Sequence, residues 1–327
     1  MSVHLLRALA CGGALSLCLS SGDAHAADPA ELAVVKACKD YANQTPSDRA
    51  LLWFLVEYNG IQDIPKPIPT LTVSDADCDA MGKGLLEAEW VTLESKEVDS
   101  LALLSDLTHI QNLSVAKSSV TDLSPIVTMT GLKHVSVRNG PLVDLSPLAQ
   151  MPWVTVVDVS DTKVTDISVL SKLTDMTGLS IARLPISDLS SLAGLTKMET
   201  LNIDGTGVVD LSFMAGMTAL TQLEARRNKI VSLEPMLNMN SLEWVDLSQN
   251  QIESIKPLAG KKQLGTLLLN GNNLKRVNAL ARMPKLTEVK VGNNPLIEEG
   301  CPEKDKVDKE VYKMCKAAQK MDRATGK

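Results

Sequence analysis

Asp158, Glu224 and Asp246 fall in one column of a sequence register 22 residues long. Two carboxylates held at a fixed separation across a cleft are the apparatus of glycoside hydrolysis, one acting as acid and the other as base or nucleophile. That chemistry needs walls that exclude water, and a column of equivalent positions on an open surface does not supply them. Other reactive types are sparse. Beyond residue 26 the histidines are His109 and His134, which fall at different register positions and form no metal-ligand spacing. There is no Cys-x-x-Cys and no phosphate loop. The paired glycines of "MGKG" (81–84) and "DGTG" (204–207) lack the strand-to-helix setting of a nucleotide loop. No catalytic set, metal site or cofactor is expected, and the chain reads as a non-enzyme. A hydrolase using Asp158, Glu224 or Asp246 is the remote alternative.

The elements that carry these residues follow from the register. Units beginning at Leu85, Leu107, Met129, Met151, Leu173, Leu195, Met217, Met239, Lys261 and Met283 follow one another without insertion or deletion. Position seven of each unit holds Val91, Leu113, Val135, Val157, Leu179, Leu201, Leu223, Val245, Leu267 and Val289, and positions four and nine are apolar throughout. Positions six, eight and ten are mostly polar. This alternation marks a strand with one buried face. One such unit cannot bury its own apolar side, so the units must stack and place equivalent strands side by side in a parallel sheet. Ten strands at ~4.8 Å spacing make a ladder on the order of 45 Å long.

The phrase D-L-S-P-L, as in "VTDLSPI" (120–126) and "LVDLSPL" (142–148), falls on the return half of each unit. Asp122, Asp144, Asp166, Asp188 and Asp210 share one column, and Ser124, Ser146, Ser168, Ser190 and Ser212 another. Either oxygen can accept from free N–H groups opening a short helical turn, where a following Pro is tolerated. A metal-binding row of carboxylates is the alternative, but capping accounts for Asp, Ser and Pro together.

The pattern L-x-x-L-x-x-L-x-L, turn, D-L-S-P-L resembles the leucine-rich repeat family, specifically the 22-residue class of bacterial internalin-like proteins. It covers about 85–296. The resemblance implies an α/β solenoid with a curved parallel sheet of about ten strands on its concave face and helical caps at both ends. The family places Asn at position twelve. Asn228, Asn250, Asn272 and Asn294 comply, whereas Lys96, Ser118, Gly140, Thr162, Leu184 and Thr206 stand there earlier. A regular asparagine ladder is expected only in the last four repeats, with "RLPIS" (183–187) the least regular stretch. Host-cell adhesion is not carried over, since the chain shows no wall-anchoring sorting motif.

On this architecture positions six, eight and ten line the concave face, and the residues that do not repeat are the candidates for recognition. Trp244, Arg226, Glu224 and Asp246 should cluster on adjacent strands, with Leu268 as an apolar neighbour. Asp204, Asp158, Arg138 and His134 complete the set. Trp and Arg are enriched in binding hot spots. The plainer reading is a solvated face on which Arg226 pairs with Glu224 or Asp246, exposed pairs that contribute about 0–1 kcal/mol. Trp90 is less well placed because the N-terminal cap is expected to cover it.

Outside the repeats, residues 1–26 read as a signal peptide. Arg7 precedes the apolar "ALACGGALSLCLS" (8–20), and Ala24-His25-Ala26 gives the small-x-small cleavage pattern. A lipoprotein reading is weaker, because Leu17 precedes Cys18 and the run before Cys11 is short. Residues 27–84 form a helical N-terminal cap, 85–296 the repeats, and 297–327 a C-terminal cap helix and tail. Export leaves Cys38, Cys78, Cys301 and Cys315 in an oxidising compartment. A disulfide needs Cα atoms within about 7 Å, and the stack separates the two pairs, so Cys38–Cys78 and Cys301–Cys315 are the expected bonds; free buried thiols are the alternative. No segment approaches the ~20 apolar residues of a membrane helix. A net charge of −6 argues against a nucleic-acid partner, which would call for a basic stripe. The expected protein is an exported monomer, periplasmic or secreted. It would bind a protein, or an envelope glycan, on its concave face; a regulator or inhibitor of an exported enzyme is the alternative.

Overall fold

The computed structural model describes residues 31–58, 74–297 and 300–304, and in the closing segment 309, 311–313, 315–317 and 320. The signal segment, the connector at 64–70 and Val307 lie outside the described residues. Ten strands form one parallel sheet in chain order. They are β1 (Trp90–Glu94), β2 (Asn112–Ala116), β3 (His134–Arg138), β4 (Val156–Asp158), β5 (Gly178–Ser180), β6 (Thr200–Asn202), β7 (Gln222–Glu224), β8 (Trp244–Asp246), β9 (Thr266–Leu268) and β10 (Glu288–Lys290). Each residue pairs with the one a full repeat away, as in Ser136↔Asp158 and Glu224↔Asp246. The chain is a leucine-rich-repeat solenoid.

A sharp turn ends every strand. Position eleven takes the left-handed conformation from Lys117 through Arg183 and Arg227 to Asn293. Gly205 and Gly271 adopt it without strain, but most occupants carry a Cβ that disfavours it. The stack overrides that cost because the next apolar column must return to the core.

On the return, Oδ1 of Asp122, Asp144 and Asp166 accepts from the backbone N–H of Ser124, Ser146 and Ser168, each at 2.8 Å; Asp188 and Asp210 do the same at 2.9 Å. The aspartate column, not the serine column, therefore opens each 3-10 turn. Where Asp is absent, Ser232 and Ser254 substitute by accepting from Glu234 and Lys256. Ile126, Leu148, Leu170, Leu192, Met214, Met236, Leu258 and Leu280 then plug the core, all fully buried. Lys261 occupies a column that is otherwise Leu or Met and is only 2% exposed. Its ammonium donates to the Leu237 carbonyl at 2.5 Å, and burial lowers its pKa.

The asparagine ladder is confined to the last four repeats. Asn250 donates to Ala225 O at 2.8 Å and Leu247 O at 2.9 Å, and accepts from Ile230 N at 3.1 Å. In earlier repeats Thr162 donates to Val159 O at 2.7 Å and Thr206 to Ile203 O at 3.1 Å. The stretch 183–187 departs less than its sequence suggests. Arg183 keeps the same left-handed turn, Leu184 is buried, and Leu184 N bonds Ile181 O in place of the missing side-chain bonds.

Among the described residues three α-helices close the N-terminal end: α1 (Ala33–Lys39), α2 (Pro46–Tyr58) and α3 (Asp75–Glu87). Ser74 and Asp77 form a reciprocal capping box that starts α3. Asp106 Oδ2 accepts from Ala33 N at 3.1 Å, and His109 Nε2 meets Leu85 O at 2.8 Å, fixing the cap to the first repeats. Disulfides join Cys38 to Cys78 and Cys301 to Cys315, with Cα separations of 5.7 and 5.9 Å. At the C-terminal end Val277 N bonds Gly300 O at 2.7 Å, and Val311 and Cys315 are buried. Among the described residues no helix is long and apolar enough to cross a membrane.

Candidate functional site

The repeat places position eight of every strand on the concave face, so Asn202, Glu224, Asp246 and Leu268 lie side by side on β6 to β9. Position ten adds Asp204 and Arg226 just beyond β6 and β7. Arg226 is the hub. Its Nε reaches Asp204 Oδ2 at 2.7 Å and its Nη2 the same oxygen at 2.5 Å. Glu224 Oε2 lies 3.4 Å from Nη2, and Asp246 Oδ2 3.6 Å from Nε. One guanidinium thus serves three carboxylates. Its principal partner is Asp204, one repeat earlier in the same column, rather than Glu224 or Asp246.

Exposure divides the cluster. The side chains of Asp204 and Asp246 are 6% and 5% exposed, whereas Glu224 is 24% and Arg226 45%. Burial raises the Glu224 pKa, Asp204 and Asp246 reinforce the rise, and Arg226 opposes it. Asn202 Nδ2 also donates to Glu224 Oε2 at 3.2 Å. Trp244, half-buried on β8, stands in register between Gln222 and Thr266, and Leu268 lies beside Asp246. The surface presented here is therefore Glu224, Arg226, Trp244 and Leu268.

The aspartates serve the backbone as well. Asp158 Oδ1 accepts from Ser160 N at 3.0 Å and Ser160 Oγ at 2.6 Å, and Asp246 Oδ1 from Ser248 N at 2.9 Å. Asp204 Oδ1 accepts from Arg226 N at 2.6 Å. These donors follow the short ladders of β4 to β10. A carboxylate tied in this way is a poor general acid or base. The concave face is also less wet than its polar composition suggests: Ser136, Asp158, Ser160, Ser180, Asp204, Gln222 and Asp246 are all buried. In-register side chains about 4.8 Å apart shield one another.

His134, Arg138 and Asp158 form a second group on β3 and β4, separated from the Arg226 cluster by β5. Burial lowers the His134 pKa, Asp158 opposes that shift, and Arg138 adds to it. Between His134 and Arg138 on β3 lies Ser136, fully buried. Neither its Oγ nor His134 Nε2 has a hydrogen-bond partner among the described residues. Ser160 and Ser180 next door do bond each other, at 2.7 Å. Trp90, expected under the cap, stands 40% exposed on β1.

Sequence reasoning missed Asn202, Ser136 and the Asp204–Arg226 pair. The pair had a readable signal, because opposite charges one period apart meet across strands or turns. Asp161 and Arg183, and Asp175 and Lys197, repeat the pattern. Among the described residues no group of three His, Cys, Asp or Glu side chains is disposed to hold a metal ion.

No protein-family model matches the sequence, and no curated protein matches it. Solved structures do. The chain is similar to an internalin C2 from Listeria monocytogenes, with 26% identity over 51% of this chain and 74% of that one and a TM-score of 0.50. An internalin F from the same organism shows 20% identity over 67% of this chain and 77% of that one, with a TM-score of 0.47. The leucine-rich-repeat ectodomain of the plant membrane receptor kinase GASSHO1/SCHENGEN3 from Arabidopsis thaliana, solved in complex with CASPARIAN STRIP INTEGRITY FACTOR 2, shows 15% identity over 62% of this chain and 29% of that one. Its TM-score is 0.51.

Proposed function

We propose that this internalin-like leucine-rich-repeat protein is an exported, non-enzymatic interaction module that grips a protein partner on its concave face. The observation that carries the reading is the exposed rim of the Arg226 cluster. Glu224 and Arg226 emerge from a buried ion network beside a partly buried Trp244 and Leu268, so charged and apolar anchors are pre-positioned on a rigid sheet. A partner that fills such a patch loses little side-chain entropy, because the network already holds the charged groups. The two disulfides support an oxidising compartment. An interaction module also suits an architecture that one fold neighbour, the plant receptor ectodomain, was solved with bound to another molecule.

Capture from an envelope fraction, comparing wild type with Trp244→Ala/Arg226→Ala, tests this. The double variant is expected to recover at least tenfold less of any specific partner while keeping its melting temperature within a few degrees. Equal recovery removes the patch from the proposal.

A further inference from the structure

The unpartnered donors on β3 differ from everything else on the concave face. Ser160 is satisfied by Asp158 and Ser180, Asn202 by Glu224 and the backbone, and Asp204 and Asp246 by backbone N–H groups and Arg226. Ser136 is not, although it is 0% exposed. Buried polar groups are nearly always paired, so an orphan calls for an explanation. His134 Nε2, two residues away on the same face of the strand, is also without a partner. Their Cα atoms are about 7 Å apart by strand geometry, and both side chains point the same way. One group with two acceptor oxygens on a single carbon can span them.

We propose that β3 forms a subsite for a carboxylate carried by a partner peptide, with Ser136 Oγ–H and His134 Nε2–H donating to its two oxygens and Arg138 supplying the charge. The proposal rests on the concave-face reading above and names a second anchor on it. The cover over Ser136 is local. In register it has Ser114 on β2 and Asp158 on β4, and along its own strand His134 and Arg138. Of these, His134 and Arg138 carry the longest side chains. To uncover the hydroxyl, an incoming carboxylate has to draw the Arg138 guanidinium outward in competition with Asp161, on which it already acts, a change of side-chain rotamer. Asp158, which acts on His134, and Asp161, which acts on Arg138, are the opposing charges, and Asp158 is the nearer in register. Asp158 already takes two donors from Ser160, so the ligand must bind against it. A serine nucleophile is a poorer account, because Ser136 Oγ is enclosed and bonds no base.

The test uses a displayed random dodecapeptide library, selected on the full chain and followed by fluorescence-polarisation titration of the enriched peptides. Enriched sequences are expected to share an Asp, a Glu or a free C-terminal carboxylate, and amidation of that group should weaken binding at least tenfold. Ser136→Ala and His134→Gln should each weaken binding about tenfold, and Asp158→Asn should tighten it. Ser136→Ala removes a group that has no partner to lose, so its melting temperature should hold or rise, which separates lost binding from unfolding. The His134 side-chain NMR signals should shift on peptide addition in wild type. Enriched peptides without a shared acid, or acidic peptides indifferent to Ser136→Ala and His134→Gln, overturn the subsite. If those peptides are instead lost with Trp244→Ala/Arg226→Ala, the subsite falls and the concave-face reading stands. Indifference to both sets of variants removes both.

Discussion

Glu224 carries the sharpest electrostatic conflict on the concave face. It shares one guanidinium with two aspartates that are better buried and better bonded. Its pKa is raised in the folded chain, so ionising it opposes folding. The penalty is absent below the ordinary glutamate value of about 4.3, grows as pH rises through the folded value, and is complete above it. Glu224→Gln should therefore match wild type in melting temperature near pH 4 and exceed it at pH 7 to 8. A more stable wild type at neutral pH would show that the 3.4 Å contact with Arg226 outweighs burial and the two neighbouring carboxylates. The candidate residues were legible from the register, since columns predict which side chains are neighbours. Their roles were not. Asp158, Asp204 and Asp246 look like free carboxylates in the sequence, and only in the fold do they cap backbone N–H groups, because that depends on where each strand ladder stops.

At the scale of the repeat, the sequence was most legible where one column has one job. Apolar columns, aspartate caps and the late onset of asparagine all read directly. What did not read was the constancy of the turn at position eleven. Residues as unlike as Lys117, Asp161, Arg183 and Gln249 all adopt a positive φ, against their intrinsic preference, because stacking on both sides dictates the path. The same cause kept 183–187 regular despite Leu184. Ladder strength should still differ between the halves. Asn250→Ala deletes three buried hydrogen bonds and strands their partners, so it should cost about 3–5 kcal/mol. Thr162→Val deletes one and should cost about 1 kcal/mol. Chemical denaturation of the two variants measures the contrast; equal losses would mean that position twelve is satisfied equally well in both halves.

For the whole molecule, the decisive property is that each repeat touches only its neighbours, so stability is close to a sum of repeat and interface contributions. The chain should therefore tolerate removal of a complete period and reject removal of a fraction of one. Deleting residues 163–184 joins Thr162 to Pro185, removes β5, and lets β4 pair with β6 in unchanged register. The apolar columns, both caps and both disulfides are untouched. The product is expected to fold cooperatively with a nine-stranded sheet and a melting temperature within several degrees of wild type. Deleting only 174–184 takes out half a period, turns apolar columns toward solvent, and should abolish the cooperative transition seen by circular dichroism. The full-repeat deletion also moves the β3 subsite about 4.8 Å closer to the Arg226 cluster while leaving the residues of each intact. A partner that engages one patch should bind the shortened chain as it binds wild type. A partner anchored at both should lose most of its affinity, because its own spacing no longer matches that of the sheet.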